Sequence, residues 1–185
     1  MREFIFGRWR YARNPLSTEA GHALHGGVAL AVLLATTTFA HAQELPASIQ
    51  APGETALLTA HAEGAQVYEC AADAAGKLAW LFREPIATLL RDGKTIGRHY
   101  AGPKWELGDS SGVQGKLEAK APGATASDIP WLKLAAAVHF GQGALSDAVT
   151  IQRVNTHGGA LEGPCDAAGT LRSVAYSADY VFLKK

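Results

Sequence analysis

The residues from Val174 to Phe182 alternate with a period of two, and this constrains the fold more than any other feature of the chain. Val174, Tyr176, Ala178, Tyr180 and Phe182 share one side; Ala175, Ser177, Asp179 and Val181 share the other. An extended backbone, whose successive side chains leave opposite faces, collects such a set on one face. The pattern recurs. Val113, Gly115, Leu117 and Ala119 oppose Gln114, Lys116 and Glu118. Between Trp131 and Phe140, Leu132, Leu134, Ala136, Val138 and Phe140 oppose Lys133 and His139. That segment is alanine-rich and could be helical on propensity, but alternation over nine residues decides for a strand. Residues 65–71, 78–83, 95–100 and 148–155 are further strand candidates. Asp92-Gly93 between Leu90 and Thr95 is the two-residue hairpin signal. Ala75-Gly76, Gly102-Pro103, Pro122-Gly123, Gly141–Gly143 and His157–Gly159 read as further turns. Short strands between Gly/Pro turns predict an all-β chain: a single antiparallel β-sandwich or barrel-like domain.

Residues 1–42 read instead as a cleaved signal peptide. Arg2, Arg8, Arg10 and Arg13 give a positive start, and Gly26–Ala40 is a fifteen-residue stretch without a charge. Ala40-His41-Ala42 is a small-x-small site that places the cut before Gln43. An uncleaved anchor is the alternative, but the stretch falls short of the roughly 20 residues a spanning helix needs. Residues 43–54, with Pro46 and Pro52, form a short polar lead-in, and 55–185 form the β domain. Cleavage would leave 143 residues with 13 basic and 15 acidic side chains. A chain of that size buries about two thirds of its unfolded surface. Its slight negative charge gives no footprint for nucleic acid and no attraction to an anionic membrane. The expected location is periplasmic or secreted, with no membrane span after processing.

Two cysteines are too few for a disulfide-built miniprotein or a Cys-rich zinc module. In an exported chain, Cys70 and Cys165 are expected to pair, the alternative being two buried thiols.

The run Gly64–Cys70 (GAQVYEC) is followed by Trp80, Glu84–Ala87 (EPIA) and Gly97–Glu106 (GRHYAGPKWE). Then come Asp109-Ser110-Ser111, Ile129–Leu132 (IPWL), Ile151–Gly159 (IQRVNTHGG), Cys165 and Tyr176–Phe182 (YSADYVF). In this order the motifs resemble the secreted family called domain of unknown function 3455, found in bacteria and fungi, over nearly the whole chain after residue 42. The resemblance implies export and one β-rich domain, and no activity. Some relatives carry a dehydrogenase name, which the absence of a Gly-x-Gly-x-x-Gly turn does not support. Where relatives tend to read Asp-Gly-Ser, this chain has Asp109-Ser110-Ser111. Lys133 replaces a usual apolar residue, which suits an outward face.

Few residues announce chemistry. Gly108–Gly112 fits Gly-x-Ser-x-Gly, but a nucleophile elbow leads into a helix, and Ser110 and Ser111 lead into a strand pattern. The four histidines after residue 42 (His61, His99, His139, His157) show no close ligand spacing, so no metal or other cofactor is expected. No catalytic residue is assigned. His99, Tyr100, Trp105, Glu106 and Asp109 are the densest polar and aromatic cluster. They suit a groove for a carbohydrate or other small molecule, and equally a turn with a core tryptophan and a capping carboxylate. Arg153 shares a strand face with Val149, Ile151 and Asn155. An arginine there needs a partner. The preferred reading is a structural pair with Asp179, Glu69 or Glu106; the other is a ligand-anion site, so Arg153 joins the candidate ligand-binding residues. The function expected is a binding or surface-interaction module. The alternatives are an extracellular hydrolase using Glu106 and Asp109, and a structural or stress-protective envelope protein.

Overall fold

The computed structural model describes residues 44–185. The expected signal peptide lies outside the described residues. After a single 3-10 turn at Ala47–Ile49, eight strands follow: β1 (Thr55–Ala72), β2 (Leu78–Arg91), β3 (Lys94–Tyr100), β4 (Lys104–Leu107), β5 (Gly112–Ala121), β6 (Trp131–Phe140), β7 (Thr150–Gly158) and β8 (Leu171–Lys184). Each pairs antiparallel with its sequence neighbour, and β8 returns to pair with β1. Of the two architectures expected, the chain adopts the closed barrel. Closure removes the unpaired edges that a sandwich must protect.

The alternation in β8 does what its pattern predicts. Tyr176, Ala178, Tyr180 and Phe182 are buried, while Ala175, Ser177, Asp179 and Val181 on the other face are not. Three successive inward positions of β1 are small, Ala60, Ala62 and Gly64. They make room for Leu89, Trp105, Tyr180 and Phe182 in the interior. Gly64 has a local reason: a Cβ there would run into the Ile86 carbonyl oxygen and the Ala87 backbone of β2. The β2–β3 hairpin turns on Asp92 (φ 51°) and Gly93 (φ 72°), both left-handed as the two-residue turn demands.

Several local expectations need correction. His157–Gly159 is not a free turn: β7 runs to Gly158, and Gly159 bridges to Asp128. Register slips occur between Gln114 and Gly115 and between Leu117 and Ala119 of β5, so its two-residue alternation is not continuous. A slip between Val154 and His157 of β7, with Asn155 at φ 51°, breaks the face that Arg153 and Asn155 were expected to share. Asn155 is exposed and donates to Asp179 Oδ2 (2.8 Å).

The strands run alternately between two ends. The end carrying the β4–β5 and β6–β7 connections is filled by Leu58, Leu107, Leu145 and Ala148. Ser111 closes the β4–β5 loop there: its hydroxyl donates to Asp109 Oδ1 and accepts from the Leu145 N–H. A second apolar cluster lies outside the main core, where Ile49 of the lead-in covers Trp131, Val154 and Ala121. Gln152 donates to the Ile49 carbonyl (2.7 Å), tying that cover to β7.

At the other end, Cys70 and Cys165 form a disulfide with Cα atoms 5.8 Å apart. It joins the end of β1 to the β7–β8 connection. The same connection is stitched down by hydrogen bonds from Cys70 N to Thr170 O, Gly169 N to Cys70 O and Trp80 N to Gly163 O.

Candidate functional site

An eight-stranded barrel has an interior just wide enough to be filled by side chains or to hold one small ligand. This barrel is divided between the two. Its closed half is packed, and its other half holds a cavity of about 560 Å³ open toward the disulfide end. The β3–β4 and β5–β6 connections border the mouth with Pro103 and Pro130, and Phe82 and Leu117 stand there more than half exposed. Leu132, Leu134 and Ile129 supply apolar wall.

Trp105 is on the cavity lining and is 1% exposed. Pairing of β3 with β4 sets His99 opposite Trp105, and the two rings stack at 4.4 Å with 7° between planes. Tyr180 meets both rings, at 4.9 and 5.1 Å. The His99 Nδ1–H donates to the Lys104 carbonyl (2.9 Å). A carbonyl only accepts, so the proton sits on Nδ1 and Nε2 keeps its lone pair. Burial pushes the His99 pKa down to about 3, opposed by the bond to Lys104 and aided by the Arg153 charge. The ring is therefore neutral at physiological pH. Tyr68 and Tyr180 also line the cavity, and burial raises both hydroxyl pKa values, so they are neutral as well. The Tyr68 hydroxyl donates to the Gly159 carbonyl (2.7 Å).

A buried neutral histidine makes stability depend on pH. The unfolded chain binds a proton at His99 below about pH 6.5, whereas the folded chain binds it only near pH 3. This contribution is complete above pH 6.5 and falls by about 1.4 kcal/mol per pH unit between those limits. His99→Phe keeps a ring on Trp105 and removes the titration. Denaturant unfolding of both proteins from pH 7 to pH 4 should show the wild-type advantage shrinking with acid. Parallel pH profiles would contradict the assignment.

Arg153 is half-buried and lines the cavity. The expected pairing with a carboxylate is not found. Its Nε and one Nη donate to the Pro130 carbonyl at 3.1 and 2.9 Å. Among the described residues no carboxylate makes an ion pair with it. Asp179 is instead on the outer surface, bonded to His61 Nδ1 (2.8 Å) and Asn155. Glu69 faces Arg83, and Glu106 is held by Arg98.

The six candidate residues thus divide. His99, Trp105 and Arg153 line the cavity; Tyr100, Glu106 and Asp109 do not. Strand alternation explains the split, because Tyr100 and Glu106 flank inward residues and point outward. The Glu106 carboxylate accepts from Arg98 (2.8 Å) and the Tyr100 hydroxyl (3.0 Å), which lower its pKa. Asp109 accepts from the Ala144 N–H, the Ser111 hydroxyl and the Ser111 N–H, and these hold its pKa down. Both carboxylates border a second, more open depression of about 630 Å³ beside the closed end. Ser110 and Ser111 lead directly into β5. Among the described residues no group of three His, Cys, Asp or Glu side chains converges as a metal site would.

Sequence reasoning missed Gln66, Tyr68 and Tyr180 as cavity residues. Gln66 had a signal: it follows Ala60, Ala62 and Gly64 at intervals of two, a polar side chain on the core face. It is 2% exposed, with its amide beside the Tyr176 hydroxyl. The Trp105 Nε1 is buried and finds no partner.

Fold and cavity define a closed, antiparallel eight-stranded barrel with a cup at one end. The chain belongs to the family described as protein of unknown function (DUF3455), whose model matches residues 51–95 and 90–184. No curated protein and no solved structure matches it.

Proposed function

We propose that the protein is an exported carrier or receptor that binds one small, largely apolar molecule in the open half of its barrel. The observation that carries this reading is the 560 Å³ cavity itself, with an apolar wall of Ile129, Leu132 and Leu134 and one cation, Arg153, that no carboxylate pairs among the described residues. A cavity of this volume suits a small organic ligand. Exposed Phe82 and Leu117 at the rim favour apolar contact on the way in. Export is supported by the Arg-led, uncharged start of the chain and by the disulfide, which suits an oxidising compartment. The described residues contain no helix long and apolar enough to cross a membrane.

The neutral apolar fluorophore N-phenyl-1-naphthylamine tests this reading. It should brighten saturably with one site per chain, and Leu134→Trp, which fills the cup, should weaken it at least about tenfold. Absence of saturable binding, or binding indifferent to the filled cup in a variant with unchanged far-UV and near-UV circular dichroism, would overturn it.

A further inference from the structure

We infer that the occupant of the cup is an organic carboxylate, its headgroup held by Arg153 and its apolar body lying toward Phe82 and Leu117. This rests on the cup being a ligand site and adds the chemical class of the ligand.

The charge inventory of the lining points this way. Five ionisable side chains border the cavity: Tyr68, Arg83, His99, Arg153 and Tyr180. The tyrosines and His99 are neutral, as derived above. Arg83 lies at ion-pair distance from Glu69 (3.5 Å) and Glu84 (3.4 Å). Arg153 is left as the cation without a counter-charge among the described residues. An arginine held against an apolar wall without an anion is costly, and one that meets its anion as a ligand is not.

The hydrogen-bond inventory agrees. Of the five N–H groups of a guanidinium, Pro130 accepts from the Nε–H and one Nη, and the Tyr180 hydroxyl also lies within hydrogen-bonding reach, which leaves at least two N–H groups for a ligand. These are donors, and a carboxylate only accepts. The lining also offers the His99 Nε2 lone pair, so the choice of a carboxylate rests on the unpaired charge of Arg153. The planar fork of arginine matches two carboxylate oxygens side by side. The Pro130 carbonyl also fixes the guanidinium in place before any ligand arrives, which lowers the ordering cost of binding.

Calorimetric titration with decanoate and with 1-decanol tests the inference, because the two share a chain and differ in the headgroup. Decanoate should bind about 10- to 100-fold more tightly, the range expected of hydrogen bonds to a charged group. Arg153→Gln should erase that preference. Because Arg153 also supports the Pro130 loop, Arg153→Lys provides a second variant that keeps the cation and removes the planar fork; it should reduce the preference severalfold without erasing it. Equal affinity for both compounds in wild type, or a preference that survives Arg153→Gln, would overturn the carboxylate assignment. If N-phenyl-1-naphthylamine still binds in the cup, the cavity reading stands while this one falls. If neither the fluorophore nor decanoate binds, both fall.

Discussion

Replacing both Cys70 and Cys165 with alanine is expected to lower the unfolding free energy by up to about 4–5 kcal/mol, the largest effect of any change outside the core. The bridge joins residues 95 apart, and in the chain-entropy model closing a loop of that length removes about that much from the unfolded ensemble. The folded barrel should change little. The β7–β8 connection is also fixed by backbone hydrogen bonds to Cys70 and Trp80, so the mouth keeps its wall when the sulfur link is gone. Denaturant unfolding should show a lower midpoint, and a thermal scan a melting temperature lower by about 10–20 °C. Reducing agent should reproduce the shift in wild type and leave the double variant unmoved. A double variant within about 1 kcal/mol of wild type would mean that the unfolded chain retains structure holding these segments together.

Trp105→Ala is expected to cost about 3–5 kcal/mol, as large-to-small core changes do when the surroundings cannot collapse. Collapse is difficult here. The ring is stacked on His99 and met edge-on by Tyr180 and Phe182, and the neighbouring Gly115 has no side chain to move into the space. A Cβ on Gly115 would already lie 2.9 Å from the Trp105 ring. The stack beside it should also loosen, bringing water to His99. Its pKa should then rise toward the ordinary value, because burial is the main cause of its depression. Trp105→Phe keeps most of the area, so it should cost less stability. Urea unfolding separates the two variants. A Trp105→Ala protein as stable as Trp105→Phe would show that the cup floor is not part of the packed core.

The strands were legible where their pattern was long and unbroken. The nine residues from Val174 to Phe182 gave the face of β8, and Asp92-Gly93 gave a hairpin whose two left-handed residues are found as expected. The cysteine pair followed from compartment chemistry. Barrel closure was not legible, because it depends on β8 meeting β1 across the length of the chain, and no local pattern encodes that pairing. β4, four residues long, is too short to display a period. Arg153 shows a different limit. Its inward direction could be read from alternation, but its partner could not. The register slip beyond Val154 turns Asn155 out toward Asp179, and the Pro130 carbonyl comes from a loop whose path sequence does not give. The candidate cluster from His99 to Asp109 was adjacent in sequence, and alternation then sent its members to opposite faces of the barrel wall. The inward places of Gln66, Tyr68 and Tyr180 on the cavity wall became visible only once the barrel had closed.

The most direct test of the cup as a ligand site is the indole N–H resonance of Trp105, followed by NMR during titration with decanoate. Trp131 is an internal control: its Nε1 is also buried and unpartnered, but it lies in the separate cluster beneath the lead-in. Trp105→Phe assigns the resonance. The Trp105 signal should move with ligand and saturate at one equivalent while the Trp131 signal stays fixed. A ligand that binds and leaves Trp105 unmoved, or that shifts Trp131 equally, would contradict the account.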